Sequence, residues 1–386
     1  MKKALRIVFI CLLVIAFMAT VSMAADKKAR QKFGIDKRHA EISKLKMSTS
    51  AAKVTWKMVM PWSKGLLFYD IAQHFADSVY VVSGGRFTIK VFSAGELVPA
   101  MQSFDAVSKG SAECGHDWPG YWQGKDVAFN AFASLPFGLD NEGYNIWFYE
   151  YGGDKQMDEL YGRWNMRAWP CGNVGQELGL NSNKRASKMA DFKGMRIRTV
   201  GVYMDILNRL GASVSPLPGG EIYLALERGV VDSAEFSSPA INYPMGFDDI
   251  CKYVIVPGVH QPSCQSAFFA NKDAYNKLAD DLKWIIDICC RETQLWSNHW
   301  IENLNTKAIQ LFQKKQEFVK MDDATVVEFA KTSFAYLDEL AQKSEAMKKA
   351  LETQYQFRKD FAPWREMRSG VAPWPKEDVL AGKLYQ

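Results

Sequence analysis

Apolar positions change period along the chain, and each period predicts an element. Val54-Thr55-Trp56-Lys57-Met58-Val59-Met60 is a strand-forming run stopped by Pro61, after which Leu66, Leu67, Ile71, Phe75 and Val79 recur at helical spacing. Ser83-Gly84-Gly85 closes that helix, and Phe87-Thr88-Ile89-Lys90-Val91-Phe92 alternates as a second strand. Strand, helix and strand in so short a stretch predict a βαβ unit, hence a mostly parallel sheet covered by helices. The pattern returns downstream: 195–200 reads as a strand, 203–210 as a helix closed by Gly211, 212–217 as a strand, and 221–228 as a helix closed by Gly229. Two separated units predict two α/β lobes. From Leu278 onward the spacing is helical throughout. Asp280 and Asp281 open one long helix carrying Ile285, Trp296, Trp300, Leu304, Ala308 and Leu311, and Asp322-Asp323 opens a second stretch carrying Val326, Phe329, Leu337, Leu340, Met347 and Leu351. These stripes are core faces by default, with an exposed partner surface as the alternative. The proline-bearing tail from Pro363 is expected to wrap the surface.

The beginning of the chain has another pattern. Lys2, Lys3 and Arg6 precede an almost unbroken apolar run over 7–21, and Ser22-Met23-Ala24 supplies the small residues that signal peptidase selects. The run is short for a bilayer span. The expectation is a cleaved Sec signal peptide over 1–24 and an exported, periplasmic protein, with an uncleaved anchor as the alternative. Residues 25–51, which include Lys27, Lys28, Arg30, Lys32, Lys37, Arg38, Lys44 and Lys46, read as a solvated basic leader.

Composition narrows the class. With 48% apolar and 24% charged residues over 386 positions, the chain is too apolar for a disordered protein and long enough for two domains. Without the three signal-peptide cations it is close to neutral, which excludes the concentrated basic footprint of a nucleic-acid binder. Cys114, Cys171, Cys251, Cys264, Cys289 and Cys290 remain beyond the signal. An even count in an exported chain permits disulfides, no spacing selects a pairing, and buried free thiols are equally compatible. Cys289 and Cys290 are helical neighbours whose side chains diverge, which favours packing there.

Catalytic signatures are missing: there is no H-E-x-x-H, G-x-S-x-G, P-loop or G-x-G-x-x-G, and Cys114-Gly115-His116 lacks the further donors of a zinc site. One residue type does suggest chemistry. An arginine at the carboxyl end of a strand offers a planar fork to a carboxylate, where α/β sheets present their ligands. Alternation places Arg196 and Arg198 on one face and does not choose between them.

A series of phrases in fixed order adds to this: Trp62-Ser63-Lys64-Gly65, Gly120-Tyr121-Trp122-Gln123-Gly124-Lys125, Leu135-Pro136-Phe137-Gly138-Leu139, Trp169-Pro170-Cys171-Gly172-Asn173-Val174-Gly175-Gln176, the Asp191-Phe192-Lys193-Gly194-Met195-Arg196-Ile197-Arg198 run, the stretch 220–236 ending in Glu235-Phe236, and Pro257-Gly258-Val259-His260-Gln261-Pro262. Together they resemble the DctP-type extracytoplasmic solute-binding proteins of TRAP transporters, the tripartite ATP-independent periplasmic systems, closest to the branch that binds 2-oxo acids and lactate. The resemblance covers about residues 52–315. It implies a type II-like periplasmic binding protein of two α/β lobes with a long C-terminal helical region, lobe I taking 52–172 and 261–300 and lobe II 173–260 and 301–386. It selects Arg198 as the carboxylate fork and implies Gln176, Glu235 and Phe236 at the substrate, with Trp62, Tyr121 and Trp122 as walls. The same resemblance implies Gln176, Glu235, the backbone carbonyl of Phe236 and Gln261 around a sodium or calcium ion that bridges to the substrate, an all-oxygen set suited to a hard cation. Direct hydrogen bonds from Gln176 and Gln261 to the ligand or a water are the alternative. The chain departs from the family in carrying Phe236 and Val259 where tryptophan is usual, Gln261 where an acid is common, and Gly179-Leu180-Asn181 where Gly-Gly-Trp is usual.

The function this implies is capture without catalysis. A small organic anion, a 2-oxo or 2-hydroxy carboxylate first and a sulfonate or aromatic acid next, is closed between the lobes and delivered to the small and large subunits of a membrane permease. No cofactor is required beyond the possible ion, and a homodimer through the C-terminal helices is a further expectation. Competing readings are an exported α/β enzyme acting on a carboxylate, and a binder serving an ABC importer or a sensor.

Overall fold

The computed structural model describes residues 52–369. The expected signal peptide, the basic leader up to residue 51 and the tail beyond 369 lie outside the described residues. Among those described, no helix is long and apolar enough to cross a membrane.

Two sheets carry the fold. The first has strand order β2-β1-β3-β10-β4, built from β1 (Val54–Val59), β2 (Phe87–Phe92), β3 (Cys114–Asp117), β4 (Met166–Asn173) and β10 (Gln265–Asn271). The second has order β11-β9-β5-β8-β6-β7, from β5 (Leu180–Ser182), β6 (Arg196–Arg198), β7 (Ser213–Ser215), β8 (Ser233–Ala234), β9 (Tyr253–Val256) and β11 (Glu317–Lys320). The expected βαβ unit is present: β1 and β2 are parallel from Val54↔Phe87 to Val59↔Phe92, joined by helix α1 (Leu67–Val82), which buries Phe68, Ile71, Phe75 and Val79. The second unit is present as β6, helix α2 (Val202–Arg209) and β7, again parallel.

Neither sheet is wholly parallel. β10 runs antiparallel to β3 and β4, and β5 antiparallel to β8 and β9. Each of these strands follows a segment that comes over from the other sheet, so it enters from the hinge side and must run in the reverse sense. The two crossing segments lie side by side, tied by Val174 N to Cys264 O at 3.1 Å, Cys264 N to Gly175 O at 3.0 Å and Glu177 N to Gln261 O at 3.0 Å. The first crossing also needs a glycine. Gly179 has φ +120°, and a Cβ there would stand 2.1 Å from the Ile255 carbonyl oxygen. Gly179→Ala is therefore expected to lower stability by at least about 2 kcal/mol through strain and overpacking. An unchanged urea midpoint would count against that account.

The C-terminal third is helical, in α3 (Asp280–Lys315), α4 (Asp323–Lys343) and α5 (Glu345–Ser369). α3 spans both sheets. It accepts the Gly172 and Asn173 amides at Gln294 Oε1 (2.8 Å) and Ser297 Oγ (2.9 Å), and near its far end Lys315 Nζ meets Asp248 and Asp249 at 2.7 and 2.6 Å. α4 lies on α2, where Tyr336 OH donates to Asp205 at 2.7 Å and Arg209 pairs with Glu339 at 2.7 Å. The last helix, which the sequence reading groups with the second lobe, lies against the first. Gln354 Nε2 donates to Ala131 O and Trp147 Nε1 to Thr353 Oγ1, both at 3.0 Å. Pro363 sits inside this helix instead of starting a wrapping tail. The residue whose carbonyl loses its partner, Lys359, is exposed, so water satisfies it.

Candidate functional site

β6 and β8 are parallel neighbours, with Arg198 opposite Ala234. Their carboxyl ends therefore deliver Arg198-Thr199 and Glu235-Phe236 to one place, and Glu235 N donates to Arg198 O at 3.1 Å. Alternation left two arginines open, and the structure separates them. Arg196 is half exposed and forks onto Asp232, Nη2 to Oδ1 at 2.6 Å and Nε to Oδ2 at 3.2 Å. Arg198 is 1% exposed. Its Nε and Nη2 both donate to the Leu217 carbonyl at 2.9 and 2.8 Å, and Nη1 donates to the Glu235 carbonyl at 2.6 Å. Three of the guanidinium's five N–H groups thus fix its plane, while the Glu235 carboxylate stands 3.7 Å from Nη1. The Phe236 ring lies under it at 5.5 Å.

A second group meets this one from the crossing segments. Glu177, Glu235 and His260 are all buried, and one ligand atom from each lies within 4.8 Å of the others. Glu177 Oε2 is 3.0 Å from His260 Nε2, and the His260 ring stacks on Tyr203 at 4.5 Å. Thr199 Oγ1 donates to the Glu235 carboxylate. Burial first, against the pull of Arg198, raises Glu177 to about 8, and burial lowers His260 to about 4. Glu235 is raised by burial and by Glu177. At neutral pH the contact is therefore a protonated carboxyl donating to a neutral imidazole, next to an acid held close to the Arg198 charge.

The remaining expected residues divide. Trp62 is buried, stacks on Phe68 at 4.2 Å and donates from Nε1 to Tyr121 OH at 3.3 Å. Burial raises Tyr121, with the Arg198 charge pulling the other way. Phe236 meets Phe68 edge-on at 6.4 Å, so an aromatic from each lobe closes the site on that side. Trp122 is turned away, its Nε1 donating to Asp117 Oδ2 at 2.8 Å within the first lobe's core. Gln176 is exposed, whereas Glu177 beside it is buried at the cluster. Gln261 is buried, and its side-chain Oε1 has no hydrogen-bond partner among the described residues. Between the lobes, a cavity of about 130 Å³ is lined by Pro61, Met101 and Tyr121 on one side and by Val200, Leu217 and Gly219 on the other. That is room for a handful of heavy atoms, since a water in the liquid takes about 30 Å³.

Sequence reasoning missed Glu177 and Thr199 and gave His260 no role of its own. Gln176 and Glu177 are adjacent polar residues after Gly175, and only the local backbone decides which of them turns inward.

Donor chemistry fits a hard cation. Two buried carboxylates, Glu177 and Glu235, converge beside His260, the adjacent Gln261 carries a buried amide oxygen without a partner among the described residues, and carboxylate and amide oxygens are the donors such a cation takes.

Comparison with known proteins identifies the family. The monocarboxylate 2-oxoacid-binding periplasmic protein of Nostoc sp. (strain PCC 7120) is 33% identical over 315 residues, covering 81% of this chain and 86% of its own. A TRAP transporter solute-binding protein from Bordetella bronchiseptica RB50, a mixed-occupancy dimer with calcium and picolinate in one site, superposes with a TM-score of 0.80 at 29% identity, covering 83% of this chain and 96% of that one. The TRAP periplasmic solute-binding protein of Colwellia psychrerythraea, with bound calcium and pyruvate, gives 0.79 at 27% identity over 83% and 98%. Its counterpart from Pseudoalteromonas atlantica T6c, with sodium and pyruvate, gives the same values. The family model described as bacterial extracellular solute-binding protein, family 7, matches residues 58–354, and the chain belongs to that family.

Proposed function

We propose that this protein is the periplasmic receptor of a TRAP permease and that it captures a small 2-oxo or 2-hydroxy carboxylate between its lobes without turning it over. The observation that carries the reading is the immobilised, buried Arg198 fork beside a carboxylate cluster, clamped to the carbonyl of Leu217, a residue that lines a small cavity shared by both lobes. An arginine held by carbonyl oxygens at three of its N–H groups is preorganised to give the others to an anion. Tyr121, Trp62 and Phe236 supply walls and a hydroxyl around a ligand of few atoms.

Glu235, the Phe236 carbonyl, Gln261 and Glu177 are the residues that would hold a calcium or sodium ion. The resemblance implies Gln176 as the donor on the first crossing; its side chain is exposed and that of Glu177 is buried, which supports giving Glu177 the role. The ion would supply positive charge for the carboxylate and the neighbouring oxo or hydroxy oxygen. Because Glu177 and Gln261 sit on the crossing segments and Glu235 on the second lobe, ligand and cation together would favour the closed arrangement by their differential affinity for it. Export to the periplasm, delivery to the small and large permease subunits and the lobe boundaries belong to the same reading. A homodimer through the C-terminal helices does too, supported by Trp364 and Met367, which α5 exposes.

The test is thermal unfolding of ligand-stripped protein with pyruvate, lactate, picolinate and a sulfonate, each with calcium, sodium or chelator. A ligand at a hundred times its Kd adds about 2.7 kcal/mol, a rise of roughly 5 °C or more. A cation-dependent rise with a 2-oxo acid is the expected result. No shift with any of these acids would overturn the reading.

A further inference from the structure

The six cysteines among the described residues are all buried and all reduced, and two of them meet. Cys171 is on β4, directly before the first crossing, and Cys290 is on α3. Trp169, on the same face of β4 two residues earlier, donates from Nε1 to Asp287 on α3, which places Cys171 against the next turn of the helix, where Cys290 stands. Strand and helix are in register on both sides of the pair: Trp169 Nε1 donates to Asp287 before it, and Gly172 N to Gln294 and Asn173 N to Ser297 after it, so residues 287, 290, 294 and 297 form one face of α3 along the end of β4. Cys290 also lines a cavity of about 200 Å³ with Asp154, Arg167, Trp169 and Arg291, which opens a path for a small reagent to that thiol.

We propose that Cys171 and Cys290 are a modification site, a dithiol that oxidises to a disulfide joining the last turn of β4 to α3 beside the hinge. The reaction is thiol–disulfide exchange with an external disulfide, either a small molecule or the active-site disulfide of an oxidoreductase. One thiolate attacks the external disulfide and expels one of its sulfurs as a thiolate. The second then attacks the protein sulfur of the mixed disulfide and expels the other, so two protein thiols are oxidised and one disulfide is reduced to two thiols. Burial raises both groups, but the neighbouring Cys290 and His116 bring Cys171 below the ordinary thiol range, which readies it to resolve a mixed disulfide formed at Cys290. Cys289, the neighbour of Cys290 on the helix, diverges from that face. An exported chain meets the oxidant this step requires. The link closes a loop of well over a hundred residues, where the entropic restriction of the unfolded chain is large, and it fastens the strand that leads into the crossing. The inference does not depend on which solute is bound.

Folded full-length protein, reduced and then exchanged into oxidised glutathione, is denatured in an alkylating agent and cut with trypsin. Peptides 168–184 and 284–291 are expected as one linked species, two hydrogens lighter than their sum once the alkyl group on Cys289 is counted, with the peptides carrying Cys114, Cys251 and Cys264 alkylated. The oxidised form should melt roughly 5 °C or more above the reduced one. Cys289→Ser should keep the link and Cys290→Ser should lose it. Recovery of 168–184 with an alkylated thiol, from oxidised wild type that retains its near-UV circular dichroism, would overturn the proposal. A link that survives Cys290→Ser and disappears in Cys289→Ser would do the same.

Discussion

Arg198→Ala is expected to abolish the cation-dependent response to 2-oxo acids and to weaken binding on the order of a hundredfold to a thousandfold, since removing one partner of a buried, charge-assisted pair costs about 2–5 kcal/mol. The size follows from how the guanidinium is held. It is 1% exposed, clamped by the Leu217 and Glu235 carbonyls, and faces the Glu235 carboxylate at 3.7 Å. Truncation would also remove the cation that offsets a buried acid and leave two carbonyls without donors. The ligand-free protein should therefore lose stability as well, by less than the roughly 3–5 kcal/mol typical of a broken buried pair, because Glu235, already raised by its surroundings, can take up a proton. Arg198→Lys should be intermediate in stability and poor in binding. It keeps the charge, but its three N–H groups cannot hold Leu217 and Glu235 and still offer a carboxylate two parallel donors. Calorimetric titration with pyruvate and calcium decides the matter: a Kd for Arg198→Ala within a few-fold of wild type would remove Arg198 from the site.

How much of this was legible in the sequence follows from where the information sits. β2 and α1 were legible because strict alternation and an i, i+3, i+4 stripe are local, and the parallel pairing of β1 and β2 follows from handedness once both are known. The reversed strands β5 and β10 were not, because their direction depends on crossings between sheets that no local pattern records. The destination of α5 was hidden in the same way, since its stripe of Met347, Leu351 and Phe357 fits any apolar partner. Within the site, Arg198 and Glu235 lie on adjacent parallel strands, and the recurring phrases marked both. Arg196 and Arg198 look alike on one face, and only the position of Asp232 shows that the first belongs to a surface ion pair. Trp122 and Gln176 point away from the cluster for a common reason: each stands beside another polar or aromatic residue, Tyr121 or Glu177, and a rotation of one residue in an irregular segment exchanges inward for outward.

The Glu177–His260 contact leads to an expected pH profile that separates a structural role from a ligating one. In the unfolded chain the two groups titrate near 4.5 and 6.5, and in the fold near 8 and 4. Between pH 4.5 and 6.5 the unfolded chain carries a carboxylate and an imidazolium, while the folded one carries a carboxyl and a neutral imidazole. The proton count is the same, so this pair makes stability flat across that window. Above 6.5 the fold holds one proton more than the unfolded chain, and stability falls as pH rises toward 8. The loss is about 1.4 kcal/mol per unit, or about 2 kcal/mol in all. Below 4.5 the unfolded chain holds one proton more, and stability falls again as pH drops toward 4. Glu177→Gln keeps a neutral, hydrogen-bonding side chain at every pH, so the metal-free variant should lose the alkaline decline and outlast wild type at about pH 8.5. The same variant should lose most of its stabilisation by calcium with a 2-oxo acid, because an amide cannot become the charged donor that Glu177 becomes on giving up its proton. In wild type that stabilisation should grow from about pH 6 to about pH 8, as the proton becomes easier to displace. Urea unfolding across this range, with chelator and with calcium plus pyruvate, measures both effects. An alkaline decline as steep in Glu177→Gln as in wild type would show that another group is its source, and an undiminished calcium response would take Glu177 out of the cation's shell.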